Sequence, residues 1–326
     1  MNLKPAEFWK QAAVRLQHGE ELHVLRNLEN GTSQIISKTT PFPKTESTGI
    51  ALLENGSQCA QVLIPQPELI LCGAGHIAIP VCQIAQMLEF SVTVLDDRKE
   101  FASAERFPGA STHCGNFAEL LDSLPMDRSD WFVIVTRGHA DDSVCLEHAL
   151  KTPFAYIGMI GSKTKVQHTM EAMRAKGFSE ELLSQVHAPI GLPIGGVTPA
   201  EIAVSIAAQL VEVRRQKQTG MWLGEDVLHS LLSGQAKAAV TVLSKKGSGP
   251  RGPGAMMCLN YDGSLSGTIG GGEAEHLVTR EASSLLPGET RLLTCTMDGK
   301  QAANTGMVCG GQVLLLLESL KERSHQ

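Results

Sequence analysis

The run LILCGAGHIAIPVCQIAQMLEFSVTVLDD, residues 69–97, constrains the fold of this chain most. It reads as an apolar strand, a glycine turn, a helix and a second apolar strand. Gly73, Gly75 and Ala78 stand as G-x-G-x-x-A, and the acids Asp96 and Asp97 close the second strand about 20 residues on. Buried strands recur at WFVIVT, residues 131–136, and FAYIGMIG, residues 154–161, with helical segments between and after them. Strands alternating with helices predict an α/β fold built on a Rossmann-like parallel sheet with both faces covered. TPAEIAVSIAAQLVEVRRQ, residues 198–216, predicts a further helix. Thr198 and Glu201 form a capping box, Pro199 takes the first helical position, and Ile202, Ile206, Leu210 and Val213 make one apolar stripe.

The chain of 326 residues is long enough for two domains. After residue 234 the texture changes to strands joined by glycine-rich loops, which predicts a smaller α+β domain over 235–326. The Rossmann-like domain is placed at 67–234. Residues 1–66 read as a helix and short polar strands, with Asn30-Gly31 as a hairpin turn, and carry no signal for the domain on which they dock. A net charge of −6 argues against a general nucleic-acid binder. The sequence has no apolar run long enough to span a membrane and no signal-peptide pattern at its start, so a cytoplasmic protein is expected. Eight cysteines without C-x-x-C pairs or paired histidines at zinc spacing predict no metal site and mostly buried thiols.

Five loops carry candidate chemistry. In the first, Gly73, Gly75 and Ala78 open a helix whose N–H groups suit a pyrophosphate, with His76 inside the turn. The second holds Asp96 and Asp97, either of which could accept from ribose hydroxyls, favouring NAD or a related dinucleotide over its 2′-phosphate. In the third, TRGHADD at 136–142, the strand end faces a ligand crevice, where His139 and Asp141 or Asp142 could meet a substrate, a metal or each other, the alternative being that Asp141 caps the next helix. The fourth, IGMIGSKTK at 157–165, sets Gly161, Ser162 and Lys163 at a helix start, as an anion site or as a plain cap beside a solvated lysine. The fifth is composite. It joins GSGPRGPG at 247–254, with Ser248 and Arg251, to GTIGGGEAE at 267–275, with Gly270, Gly271, Gly272 and Glu273. NTGMVCGG at 304–311, with Cys309, Gly310 and Gly311, completes it. These loops offer unhindered N–H groups to an oxyanion or a flat ring, Arg251 adds a bidentate phosphate contact, and Cys309 is a reactive thiol or a buried small residue.

CGAGHIA, VLDDR, YIGMIGSKTK, APIGLPIGGVTPAEIAVSIAAQL, GSGPRGPGAMM, GTIGGGEAE and VCGG together resemble the XdhC/CoxI family, accessory proteins of xanthine dehydrogenase and related molybdenum hydroxylases. The resemblance covers residues 67–215 and 235–318. It implies a Rossmann-like domain with a small CoxI-type domain, and binding of molybdopterin or molybdenum cofactor in the glycine loops. It further implies support for sulfuration, with a cysteine desulfurase as a possible partner, and delivery to an apo molybdenum hydroxylase by a homodimer. Two departures stand out. The family usually places the CoxI domain first, whereas here the Rossmann part precedes it. The family also has Cys after the glycine run, as G-G-C-x-E, where this chain has Glu273 and retains Glu275. A carboxylate is a harder ligand than a thiolate and carries no persulfide, so sulfur transfer would rest on Cys309. Competing readings are an NAD-dependent oxidoreductase using His76 or His139 as acid/base, and a nucleotide-sensing regulatory protein.

Overall fold

The computed structural model describes residues 2–45, 48–125, 130–217, 220–247, 251–297 and 311–321. The chain divides into two compact units. One is continuous, Pro67–Gln218; the other joins Met1–Gln66 to Thr219–Gln326. The sequence places the boundary near residue 235 and leaves residues 1–66 unassigned. In the structure the N-terminal segment shares a unit with the C-terminal part, and the helix at 225–232 belongs there too.

In the continuous unit, β5 (Glu68–Cys72), β6 (Ser91–Asp96), β7 (Ser111–Cys114), β8 (Asp130–Ile134), β9 (Phe154–Met159) and β10 (Val186–His187) form one parallel sheet, ordered β10-β9-β8-β5-β6-β7. This is the doubly wound order of a Rossmann fold, with its switch point between β5 and β8. The period of two along β5 sends Leu69 and Leu71 to one face, under α2 (Ala78–Met87) and α7 (Pro199–Lys217). It sends Ile70 and Cys72 to the other, under α3 (Phe117–Asp122), α4 (His139–Lys151) and α5 (Lys163–Ala175). Helix α7 starts where the sequence places it. Glu201 accepts the N–H groups of Val197 (2.8 Å) and Thr198 (2.9 Å), while Thr198 Oγ1 accepts from Glu201 N at 3.3 Å. Ile206, Leu210 and Val213 of the expected stripe are buried, with Ile202 packed beside them.

The other unit opens with α1 (Pro5–Gln17) and the antiparallel sheet β2-β1-β4-β3, formed by β1 (Leu22–Asn27), β2 (Thr32–Ile36), β3 (Ile50–Leu53) and β4 (Gln58–Leu63). The β1–β2 hairpin forms as expected, but its connection is the four-residue loop Leu28–Gly31 between the paired Asn27 and Thr32, with Asn30-Gly31 only its second half and Gly31 alone at positive φ. After residue 219 come α8 (Glu225–Leu232), β11 (Ala236–Gly247), β12 (Met256–Asn260), β13 (Leu265–Gly267), α9 (Gly272–Ser284), β14 (Thr290–Met297) and β15 (Gly311–Ser319). The five strands form a sheet ordered β13-β12-β11-β15-β14. Its two faces are again set by alternation. Val240, Val242, Leu315 and Leu317 pack with Val278 and Ala282 of α9. Ala239, Leu243, Met256 and Leu316 instead share a core with Phe8, Trp9, Leu22 and Val24.

Glu318 lies on the same face as Leu316, two residues on, and so points at the N-terminal segment. Its carboxylate accepts from Trp9 Nε1 (2.8 Å) and from Arg26 Nη1 at both oxygens (2.8 and 2.9 Å). Arg26 Nε donates to Gln61 Oε1 at 2.6 Å, and the guanidinium stacks over Phe8 and Trp9. Both charged side chains are buried, at 1% and 2% exposure. A buried charge is tolerated only when paired and hydrogen-bonded, so this pair fixes one arrangement of the two chain segments.

Candidate functional site

In the Rossmann unit the candidates meet at the carboxyl edge of the sheet. Gly73 has φ +106°, and a Cβ there would lie 2.5 Å from the carbonyl oxygen of Val135, so the turn leaving β5 can pass the end of β8 only as glycine. At Gly75 a Cβ would meet no described atom within 4 Å, which leaves the backbone open to a ligand. Ala78 begins α2 and is buried; His76 is exposed in the turn before it. No side chain caps α2, so its first N–H groups face outward without a side-chain acceptor.

The two acids of the second loop part company. Asp96 is 2% exposed, and its carboxylate accepts from Ala74 N (2.7 Å), Arg98 N (3.0 Å), Arg98 Nε (2.8 Å) and Arg98 Nη2 (2.9 Å). Burial works against its charge, but the bonds from Arg98 and Ala74 outweigh burial and hold the carboxyl below its ordinary value. Asp96 therefore ties the glycine turn to the end of β6. Asp97 is 35% exposed and pairs at 2.6 Å with Nη2 of Arg137, which follows β8.

At the next crest, His139 is the exposed first residue of α4. Asp142, one turn on, is fully buried. It accepts from Thr136 Oγ1 at 2.5 Å and forms an ion pair with Lys165. Ser162 caps α5 by accepting from Lys165 N at 3.3 Å. Lys163 is exposed and Gly161 half-buried. The Ser162 cap is thus formed, with the Lys163 side chain in solvent. The lysine that turns inward is Lys165, which the sequence motifs do not single out. Its signal is position alone, since Lys165 stands at the third residue of α5 and Lys163 at the first.

In the discontinuous unit, Gly270, Gly271 and Gly272 have φ of +129°, +76° and +69°, three left-handed residues in a row. The loop they form wraps a carboxylate of its own chain. Glu275 Oε1 accepts from Thr268 Oγ1 (2.5 Å), Gly271 N (2.8 Å) and Ile269 N (3.2 Å). Partial burial raises its pKa, but the bonds from Thr268 and the loop N–H groups outweigh that and hold it below the ordinary value. The outer side of the loop stays open, because a Cβ at Gly271 or Gly272 would meet no described atom within 4 Å. Glu273 stands in the first turn of α9 and is described by its backbone position alone. Arg251 is exposed in the loop after β11, and Gly311 starts β15, paired with Gly247 and Met297. Ser248, Cys309 and Gly310 lie outside the described residues, so the three loops of the composite site are not brought together in what is described.

Of the seven described cysteines, Cys114 is exposed and the other six are buried. Burial pushes the thiols of Cys59 and Cys82 up to about 11 and that of Cys258 to about 12. These are small core residues rather than sulfur carriers. Among the described residues, no group of three or more His, Cys, Asp or Glu could hold a metal ion. No described helix is long and apolar enough to cross a membrane.

A nucleotide-type parallel sheet joined to a glycine-loop antiparallel sheet defines the class of protein. Residues 69–210 match the XdhC Rossmann domain, and residues 230–296 match the XdhC and CoxI family. The chain belongs to the XdhC/CoxI family. It is 34% identical over 160 residues to the uncharacterized protein YqeB of Escherichia coli K12, covering 48% of this chain and 29% of that one. It is 29% identical over 157 residues to a probable xanthine dehydrogenase component of Bacillus subtilis 168, covering 48% and 46%. The match thus spans less than half the length of either relative. A solved structure described as a xanthine dehydrogenase from Bacillus halodurans aligns with a TM-score of 0.51 at 23% identity over 63% of each chain, a likeness of fold.

Proposed function

We propose that this chain is an accessory factor that binds molybdenum cofactor and supports its maturation or delivery to a molybdenum hydroxylase of the xanthine dehydrogenase type. The observation that carries the reading is the Gly270–Gly272 loop, with three left-handed glycines and open space on its outer side. Such a loop admits a flat ring or a phosphate to the backbone, which any side chain would obstruct. The residues present fit that group. The outer loop offers backbone donors at the start of α9, and Arg251 supplies a cation on another loop of the same unit. When bound, the cofactor brings the pterin and the metal chemistry. The chain's share is to hold its anionic group and exclude competing contacts. The name of the Bacillus subtilis relative supports a hydroxylase of this type as partner.

The test is to purify the protein from a molybdopterin-producing host, denature it and analyse the supernatant for pterin, adenine nucleotide and molybdenum. Near-stoichiometric pterin, lost in Gly271→Val, is the expected result. Pterin content unchanged by Gly271→Val would refute the loop as cradle, and a protein free of pterin would refute the reading.

A second reading, a nucleotide site in the Rossmann unit serving an oxidoreductase or a sensor, has its own support. The open backbone at Gly75 and the uncapped start of α2 lie at the switch point of the sheet. Nucleotide without pterin in the same analysis would favour it.

A further inference from the structure

Three peptide N–H groups of the glycine loop point to its inner side. Ile269 N and Gly271 N donate to Glu275 Oε1 at 3.2 and 2.8 Å. Gly270 N donates to Thr268 Oγ1 at 3.0 Å, and that hydroxyl gives its own proton to the same carboxylate oxygen. In a planar trans peptide the C=O points opposite to the N–H of the following residue. The carbonyl oxygens of Thr268, Ile269 and Gly270 therefore turn to the outer side of the loop. Among the described residues no hydrogen bond is made to any of the three. The outer side is also where a Cβ at Gly271 or Gly272 would meet open space.

These directions set the polarity of the loop. Successive backbone N–H groups turned to one side make a concavity for an anion. Here that concavity is already filled, by a carboxylate of the same chain on charge-assisted bonds. Its negative charge lies directly beneath the loop and repels a second anion. The outer side offers a row of acceptors instead. Such a row suits a flat ring with an edge of N–H donors, and a ligand without them would cover the carbonyls and leave them unsatisfied. A pterin has that edge in its 2-amino group and the neighbouring ring N–H. A phosphate is anionic and rich in acceptors, and matches neither the row nor the charge below it.

Resting on the pterin reading of this loop, we propose that Glu275 is a positioning residue that makes the loop select the ring of the cofactor over its phosphate. By keeping the N–H groups of Ile269, Gly270 and Gly271 turned in, it presents the carbonyl oxygens of Thr268, Ile269 and Gly270 to the amino-pyrimidinone edge of the pterin. The anionic part of the cofactor is left to the donors at the start of α9 and to Arg251.

The test is isothermal titration of the full chain, made in a host without molybdopterin synthesis. The probes are pterin, 4-oxopteridine, which lacks the 2-amino donor, and inorganic phosphate. The proteins are the unaltered chain, Glu275→Ala and Glu275→Gln, each checked by thermal melting. The unaltered chain is expected to bind pterin about fivefold or more tighter than 4-oxopteridine, with no displacement by phosphate. Glu275→Ala removes the inner acceptor, and should weaken pterin about tenfold while strengthening phosphate. A general loss of structure would not move the two in opposite directions. Glu275→Gln keeps an acceptor oxygen and drops the charge, so it should recover most of the pterin binding and still gain phosphate; it carries the test if Glu275→Ala melts early. Equal binding of pterin and 4-oxopteridine by the unaltered chain would overturn the selection, as would pterin and phosphate weakening together in both variants, or pterin binding unchanged in Glu275→Ala. No binding of bare pterin by a chain that carries cofactor from a producing host would overturn the selection and leave the pterin reading standing. A chain that binds no pterin and carries none from such a host would overturn both.

Discussion

Replacing Glu318 by Leu should destabilise the discontinuous unit selectively and severely. The substitution removes the acceptor for Arg26 Nη1 and Trp9 Nε1 and leaves a guanidinium at 1% exposure with Gln61 still accepting from its Nε. Removing one partner of a buried pair costs about 3–5 kcal/mol, because the other charge is stranded. With a urea dependence of about 2 kcal/mol per M, the midpoint should fall by about 2 M. Adding Arg26→Met removes the stranded charge. The unmatched Trp9 N–H and Gln61 then remain, at about 1 kcal/mol each, so the double variant should recover about half the loss. Urea titration of tryptophan emission in a Trp131→Phe background isolates Trp9 and Trp222, both in this unit. A coupling energy below about 1 kcal/mol, or a double variant no more stable than Glu318→Leu, would refute the claim that this pair fixes the N-terminal segment.

Two further outcomes follow from the titrating groups. Alkylation of the native protein at pH 8, followed by peptide mapping, should modify Cys114 and spare Cys59, Cys82 and Cys258, whose buried thiols are pushed to about 11 or 12; modification of Cys258 at the rate of Cys114 would contradict the burial. Asp96 has a lowered folded pKa, so the stability it contributes is full above the unfolded value of about 3.9 and is lost as pH falls through the lower folded value. Asp96→Asn should therefore flatten the acid limb of the melting temperature of the Rossmann unit below about pH 4, and an unchanged limb would count against that role.

Much of the Rossmann unit was legible because its signals are local. The strand at 69–72, the glycine turn and the helix that follows are contiguous, and the Thr198–Glu201 box spans four residues. The docking of residues 1–66 was not legible, because it depends on Arg26 meeting Glu318 across 292 positions of sequence. At the candidate sites the residue types were legible and the orientations were not. Neighbouring acids at 96 and 97 differ in that one closes β6 inside the sheet edge and the next lies beyond it. Lys163 and Lys165 differ by two positions on a helix, about 200° of rotation, so one faces water and the other Asp142. The glycine run pointed to an oxyanion or a flat ring; the structure shows that Glu275 of the same chain takes the inner side of the loop.

The order of the segments along the chain has a consequence for assembly. Residues matching the Rossmann domain precede those matching the CoxI family, yet the unit that holds the second match also needs residues 1–66. The strand β15 sits between β11 and β14 and carries Glu318, so this unit lacks an interior strand and a buried counter-charge until residues 311–319 have been made. The Rossmann unit is continuous and encloses two cores on the faces of its own sheet. A fragment of residues 67–217 should therefore fold alone, with a single cooperative urea transition and a dispersed amide spectrum. A chain ending at residue 310 should keep that transition and lose the other, because β11 and β14 are left without the strand they both pair with. A cooperative transition of the discontinuous unit that survived removal of β15 would show that its core closes without that strand, and the nested assembly argued from Glu318 would then be wrong.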